Sequence, residues 1–253
     1  MIELIDRQSI LKLNKIFASF IVDVQNVKYN PINDLYSPGI MFVDDNENPR
    51  NVSQEECDIW NNERQIEFDQ SKDKIDAVSI KDKYIDEIVF KSPTNKADLY
   101  TEQLGRGLES FTNNLHWEST IFLLEYPTPW LSQDNDFEPV KKALDYLRSI
   151  GVAKDFIGGF KASGQELKEL TKSLFWIIRC NASLPDCYFS GIDEYFVGNI
   201  CKYGNAHFYF YSEKVRQGII DESENVGLQI IDAVSCYDNF EETNKIEGRQ
   251  INL

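Results

Sequence analysis

The sequence predicts an α+β protein in which mixed helices accompany a predominantly antiparallel sheet. Three observations lead to this fold class. Apolar residues recur every three to four positions in five segments, which is the period of an amphipathic helix. The stretch 120–126, in which 121–124 are continuously apolar, is typical of a buried strand. Short apolar stretches joined by glycine-containing turns indicate a C-terminal antiparallel meander at 187–211.

The N-terminal half is predicted to begin with a helix over residues 2–22, which runs into a strand at 20–27. A second helix is expected to start at Ser53, because Glu56 three residues later completes a capping-box pattern. A strand follows at 84–90.

Two further helices are predicted at 101–114 and 136–149, on either side of the buried strand. Prolines end that strand, because proline cannot donate to a ladder of backbone hydrogen bonds. The proline-containing stretch 127–135 is therefore either a weak domain boundary or simply a long loop in what is otherwise expected to be a single domain, 1–253.

The C-terminal half starts with an extended stretch at 155–161. Ser163, with Glu166 at the capping-box position, is expected to open the next helix. Residues 228–240 mix apolar and acidic positions and fit either a helix or a strand. The strands of the predicted meander are 187–190, 195–202 and 206–211.

The chain has 42 acidic and 26 basic residues, a net charge of -16 and a pI near 4.6. A nucleic-acid-binding face needs the opposite charge, and anionic membrane surfaces are disfavoured for the same reason. A basic protein partner would be attracted, although net charge also serves solubility alone. The apolar run at 16–22 is too short to span a bilayer and no signal peptide is visible, so a cytoplasmic protein is expected.

No pattern in the sequence predicts catalysis, a metal or a cofactor. The two histidines, His116 and His207, are far apart, and the five cysteines lack the spacing of zinc ligands. The glycine-rich stretch 158–164 lacks the spacing of a phosphate-binding loop, and the acidic run 44–48 lacks that of a calcium loop. We therefore predict no enzyme. A hydrolase with a carboxylate-based site is the alternative, because some of the many acidic residues must lie close together.

Acidic residues concentrate in segments 44–69 and 221–242. The first has nine acidic residues and two arginines, and the second has seven acidic residues and no basic one. Carboxylates together with aromatic side chains are typical of surfaces that recognise a cationic protein, although packing in the core is the competing interpretation for the three aromatic residues. The predicted partner-binding residues are Asp44, Asp45, Glu47, Glu55, Glu56, Asp58, Trp60, Asp232, Tyr237, Asp238, Phe240, Glu241 and Glu242.

The C-terminal hundred residues also carry a resemblance. It lies in Ile157-Gly158-Gly159-Phe160 through Arg179-Cys180-Asn181-Ala182-Ser183, and in Ile200-Cys201-Lys202-Tyr203-Gly204-Asn205-Ala206-His207. This part is similar to the immunity proteins of bacterial contact-dependent growth inhibition and polymorphic toxin systems. The resemblance implies an antitoxin that neutralises a basic nuclease toxin by presenting carboxylates to its active-site groove, and it fixes no functional residue. An acidic regulatory adaptor is a further alternative.

Overall fold

The computed structural model describes residues 2–43, 48–75, 84–231, 240, 248 and 249. It shows an α+β fold, as the sequence predicts. The helices are α1 Arg7–Lys12, α2 Lys15–Lys28, α3 Gln54–Ser71, α4 Ala97–Asn114, α5 Glu138–Ser149, α6 Glu166–Cys180 and α7 Glu213–Asn225. The strands are β1 Ile2–Ile5, β2 Met41–Val43, β3 Pro49–Asn51, β4 Asp86–Lys91, β5 Thr120–Leu124, β6 Gly159–Ala162, β7 Cys187–Gly191, β8 Phe196–Ile200, β9 Asn205–Phe210 and β10 Gln229–Ile231.

The main sheet contains eight strands in the order β1-β6-β5-β7-β8-β9-β4-β10. Each neighbouring pair is antiparallel. Strands β7, β8 and β9 are consecutive in the chain and adjacent in the sheet, which confirms the predicted meander. Their register places Tyr188 opposite Asn199 and Asn199 opposite His207.

The hydrophobic core lies between one face of the main sheet and helices α4 to α7. Alternate side chains along a strand point to the same face, and on this face they are largely aromatic, as Phe196, Phe208 and Phe210 show. The opposite face of the sheet meets residues 14–20 of the N-terminal segment. There Asn14 donates to the Ser190 hydroxyl, and the ring of Phe20 packs edge-on against that of Tyr188.

The N-terminal segment differs from its prediction. Residues 2–5 form strand β1, which pairs with β6, and α2 continues through 20–27, where a strand was expected. The β-branched residues of 20–27 favour a strand locally. The buried positions nevertheless recur at Phe17, Ile21 and Gln25, which is the spacing of a helix face, so tertiary burial decides the conformation.

One of the two predicted capping boxes is confirmed. Ser53 Oγ accepts a hydrogen bond from the Glu56 backbone N–H, and the Glu56 carboxylate accepts one from the Ser53 N–H. At the other site, α6 begins at Glu166 and has no side-chain cap. Gly164 adopts a φ of +64°, so a turn separates Ser163 from the first turn of α6.

The chain divides into two compact units. The sheet unit contains Met1–Phe20 and Ile75–Leu253, and the small unit contains Ile21–Lys74. The stretch 127–135 lies inside the sheet unit, so the division does not fall where the prolines suggested. Trp130 explains why, because its buried indole N–H donates to the Gly158 carbonyl oxygen and fixes this loop to the core.

Candidate functional site

Exposed apolar side chains concentrate in the small unit. Within the described part of the chain, sixteen large hydrophobic residues are exposed, and ten of these belong to this unit. Scattered single residues of this kind are normal on a surface, whereas a concentration marks a site of interaction. The ten residues are Val27, Ile32, Leu35, Tyr36, Ile40, Met41, Phe42, Val43, Ile59 and Ile66.

The small unit is also the more acidic part of the chain. Its 54 residues include twelve acidic and five basic ones, a net charge of -7 out of -16 for the whole protein. Apolar exposure and negative charge therefore coincide in about one fifth of the sequence. This combination suits the recognition of a cationic protein, because charge steers the encounter while apolar burial supplies affinity.

Hydrogen bonds hold the irregular segment before β2 onto α3. The Asn61 side chain accepts from the Tyr36 backbone N–H at 2.8 Å and donates to the Tyr36 carbonyl oxygen at 3.0 Å. Arg64 donates to the Asp34 carbonyl oxygen at 2.8 Å, and its guanidinium carbon lies 4.8 Å from the centre of the Tyr36 ring. Tyr36 is thereby held in one position, although it lies outside any regular element.

A cavity of about 470 Å³ opens between this segment and α3, within the size range of binding pockets, roughly 300–1,000 Å³. The Trp60 indole packs against two rings, with its centroid 5.6 Å from that of Tyr36 and 5.4 Å from that of Phe42. The residues that line the cavity are Tyr36, Ile40, Phe42, Val52, Trp60, Glu63, Arg64 and Glu67.

The Glu56 carboxylate is bound by neighbouring residues of the small unit. Both of its carboxylate oxygens bind the Arg50 guanidinium, at 2.7 and 3.0 Å, in addition to the capping bonds from Ser53. The hydrogen bond from Arg50, with those from Ser53, lowers the pKa of Glu56 to about 2. Although Glu56 was predicted to bind the partner, its charge is already balanced by an arginine.

Replacing Glu56 with glutamine is expected to lower the thermal midpoint of unfolding at neutral pH. A pKa below its unfolded value means that the ionised carboxylate stabilises the folded state. This stabilisation is complete above about pH 4.5 and is lost as the pH falls through about 2. Thermal unfolding followed across this range should show the two proteins converging in acid. Glu55→Gln is the control and should change the midpoint little at any pH, whereas a Glu56→Gln deficit that is independent of pH would contradict the prediction.

The structure separates the residues predicted in the first acidic segment. Trp60 lines the cavity. Asp58 is two residues earlier, a rotation of about 200° along a helix, and it accepts a hydrogen bond from Gln54 on the far side of α3. Glu55 is exposed and also lies away from the cavity. Asp44, Asp45 and Glu47 lie outside the described residues.

Two acidic residues that border the cavity were not among the predicted site residues. Glu63 and Glu67 follow Trp60 by three and seven positions, so all three share one face of α3. Neither carboxylate forms an ion pair within the part of the chain that the structure describes. The helical spacing from Trp60 is the signal in the sequence that identifies them.

Phe240, predicted as an aromatic anchor in the second acidic segment, is buried instead. Its ring packs against those of Tyr100 and Phe175, and the Arg179 guanidinium carbon lies 4.6 Å from its centre. Packing in the core, the competing interpretation, accounts for this residue. Glu222 of the same segment is also buried and accepts hydrogen bonds from side chains around α4 and α7. Asp232, Tyr237, Asp238, Glu241 and Glu242 lie outside the described residues.

Polar side chains cluster on the face of the main sheet that lies opposite the hydrophobic core. This cluster is where a carboxylate-based hydrolase, the alternative function, would be sought. His207 Nδ1 lies 2.9 Å from Glu87 Oε1. Burial, aided by the nearby carboxylate of Glu125, raises the pKa of Tyr188 far above its usual value. Burial and Glu87 do the same to the pKa of Tyr209. Both phenols therefore keep their protons at neutral pH and act as hydrogen-bond donors to carboxylates.

Within the described ranges, no group of three or more His, Cys, Asp and Glu side chains could hold a metal ion. None of the helices in the same ranges has the length and apolar character needed to cross a bilayer. Comparison of the chain with protein-family models, with curated proteins and with solved structures finds no match.

Proposed function

We propose that the chain is a cytoplasmic immunity protein that binds a basic toxin, a nuclease, and neutralises it through the acidic surface of the small unit. The observation that carries this proposal is the coincidence of charge and apolar exposure. One unit of 54 residues carries seven of the sixteen net negative charges of the full sequence. It also carries ten of the sixteen large hydrophobic residues that are exposed in the described part of the chain.

Inhibition follows from the chemistry of nucleases. Their active-site grooves are cationic because they bind phosphates, so a carboxylate surface competes for the same groups. Among the described residues, the carboxylates of Glu63 and Glu67 form no ion pair, so they can pair with a lysine or arginine of the toxin without first breaking one. Salt screens the attraction between the acidic surface and the basic toxin. Apolar contacts around the charged groups supply the rest of the binding affinity.

The partner can be sought in the neighbouring gene, because toxin and immunity genes are expected to lie together. Its product should arrest growth when expressed alone and should lose that effect when expressed with this chain. The double reversal Glu63→Lys with Glu67→Lys should then weaken binding about 10- to 100-fold, or about 1.4–2.7 kcal/mol. Calorimetry at low ionic strength and at about 0.15 M should show that salt weakens the wild-type complex.

The double reversal Asp136→Lys with Asp155→Lys is the matched control. Both residues are exposed in the sheet unit and outside the two acidic segments, and the change in net charge is the same. This control should bind the toxin almost as the wild type does. Equal losses in the two variants would show that only bulk charge matters, and binding insensitive to salt would favour the adaptor. A neighbouring product that is harmless, or toxic but unbound, would contradict the proposal.

A further inference from the structure

We infer that the cavity beside Trp60 receives one apolar side chain of the basic partner, at a position flanked in the partner's chain by lysine or arginine. This inference rests on the proposed function and makes it more specific. The acidic surface would attract many cationic proteins, whereas a cavity that must be filled distinguishes among them.

The cavity is formed before any partner arrives. Tyr36 is fixed by Asn61 and Arg64, as described above. On the other side, backbone hydrogen bonds join Gly39 N–H to the Val52 carbonyl oxygen and Val52 N–H to the Ile40 carbonyl oxygen, each at 3.0 Å. The Arg50 guanidinium carbon lies 5.5 Å from the centre of the Phe42 ring. Binding therefore costs little ordering of the walls, which is a property of the central contacts of interfaces.

The lining selects an apolar occupant. Five of the eight lining side chains are aromatic or aliphatic, and Val52 among them is buried. The volume of about 470 Å³ leaves room for a leucine or an aromatic side chain. A polar occupant would lose its hydration and find few partners among these walls, which is unfavourable.

The charges at the cavity favour basic residues next to the apolar side chain in the partner's sequence. Glu63 and Glu67 border it one helical turn apart, whereas Arg64 between them is occupied by Asp34 and by the Tyr36 ring. Cations within one or two residues of the apolar side chain can therefore reach two carboxylates. A segment with lysine or arginine around a leucine or an aromatic residue has the complementary chemistry.

Two synthetic peptides provide the probe. Each has two lysines on either side of a central residue, which is leucine in one peptide and glycine in the other. The full chain is labelled with ¹⁵N at its four tryptophans, and the indole signal of Trp60 is assigned from its loss in Trp60→Phe. The leucine peptide should shift this signal and bind about tenfold more tightly than the glycine peptide, as expected for burial of a leucine side chain.

Variants in the small unit locate the effect. Ile40→Ser removes part of the apolar lining and should abolish the preference for the leucine peptide. Ile59→Ser, an exposed isoleucine outside the cavity, should retain the preference. If both peptides bind the wild type equally and in a salt-sensitive way, with the Trp60 signal unchanged, the inference is wrong and the acidic interface stands. If neither peptide binds, the result counts against both this inference and the proposed acidic binding surface.

Discussion

Replacing Phe208 with alanine is expected to lower the free energy of unfolding of the sheet unit by about 3–5 kcal/mol. Phe208 is fully buried on β9, on the face that packs against the helices. The rings around it are those of Phe90, Phe111, Phe189, Phe196 and Phe210. Truncation would remove the edge-to-face and stacked contacts at once and leave a cavity that these large neighbours cannot fill.

Urea unfolding followed by far-ultraviolet circular dichroism measures this loss. Since domains are stable by only about 5–15 kcal/mol, this loss removes a large part of the total stability. The variant should therefore be close to its unfolding transition even without urea. Phe42→Ala removes the same atoms from a side chain that is 41% exposed and should leave the main transition within about 0.5 kcal/mol of the wild type. Similar losses in the two variants would show that Phe208 does not lie at the centre of the core.

The sheet around Phe208 illustrates what the sequence alone can predict. Strands β7 to β9 follow one another along the chain and are joined by tight turns, so local patterns reveal both the strands and their pairing. Strand β1 has four residues and pairs with β6, more than 150 residues away. No local pattern contains information about such a partner, so the sequence assigns the first residues to the helix that follows.

The candidate site shows the same limit at the level of side chains. Composition indicated the acidic segment 44–69, but composition treats all its carboxylates alike. The fold distinguishes them, because Glu56 is bound to Arg50 while Glu63 and Glu67 border a cavity. Tyr36 and Phe42 were not predicted at all, because neither the irregular chain that contains Tyr36 nor the three-residue strand β2 that contains Phe42 has a periodic pattern. Contacts such as those with Trp60 and Asn61 bring them to the site.

Replacing Asn14 with alanine is expected to lower the free energy of unfolding by about 2–4 kcal/mol. Asn14 is 1% exposed and precedes α2. Its Oδ1 accepts from the Phe17 backbone N–H at 2.9 Å, as a helix cap does, and its Nδ2 donates to the carbonyl oxygens of Gly191 and Glu194, each at 2.8 Å. Alanine would leave the buried Phe17 N–H and the half-buried Glu194 oxygen without these partners, and it would disconnect the start of α2 from the turn after β7.

Asn33→Ala is the comparison, because Asn33 forms hydrogen bonds similar to those of Asn14 but is not buried. The Asn33 side chain also donates to two carbonyl oxygens, those of Asn26 at 3.0 Å and Val27 at 3.1 Å, but on the surface. Water can replace these bonds, so the expected loss in urea unfolding is below about 1 kcal/mol. Equal effects of the two substitutions would mean that water reaches the Asn14 site, and a larger effect at Asn14 would identify it as the hydrogen-bonded junction between the N-terminal segment and the sheet.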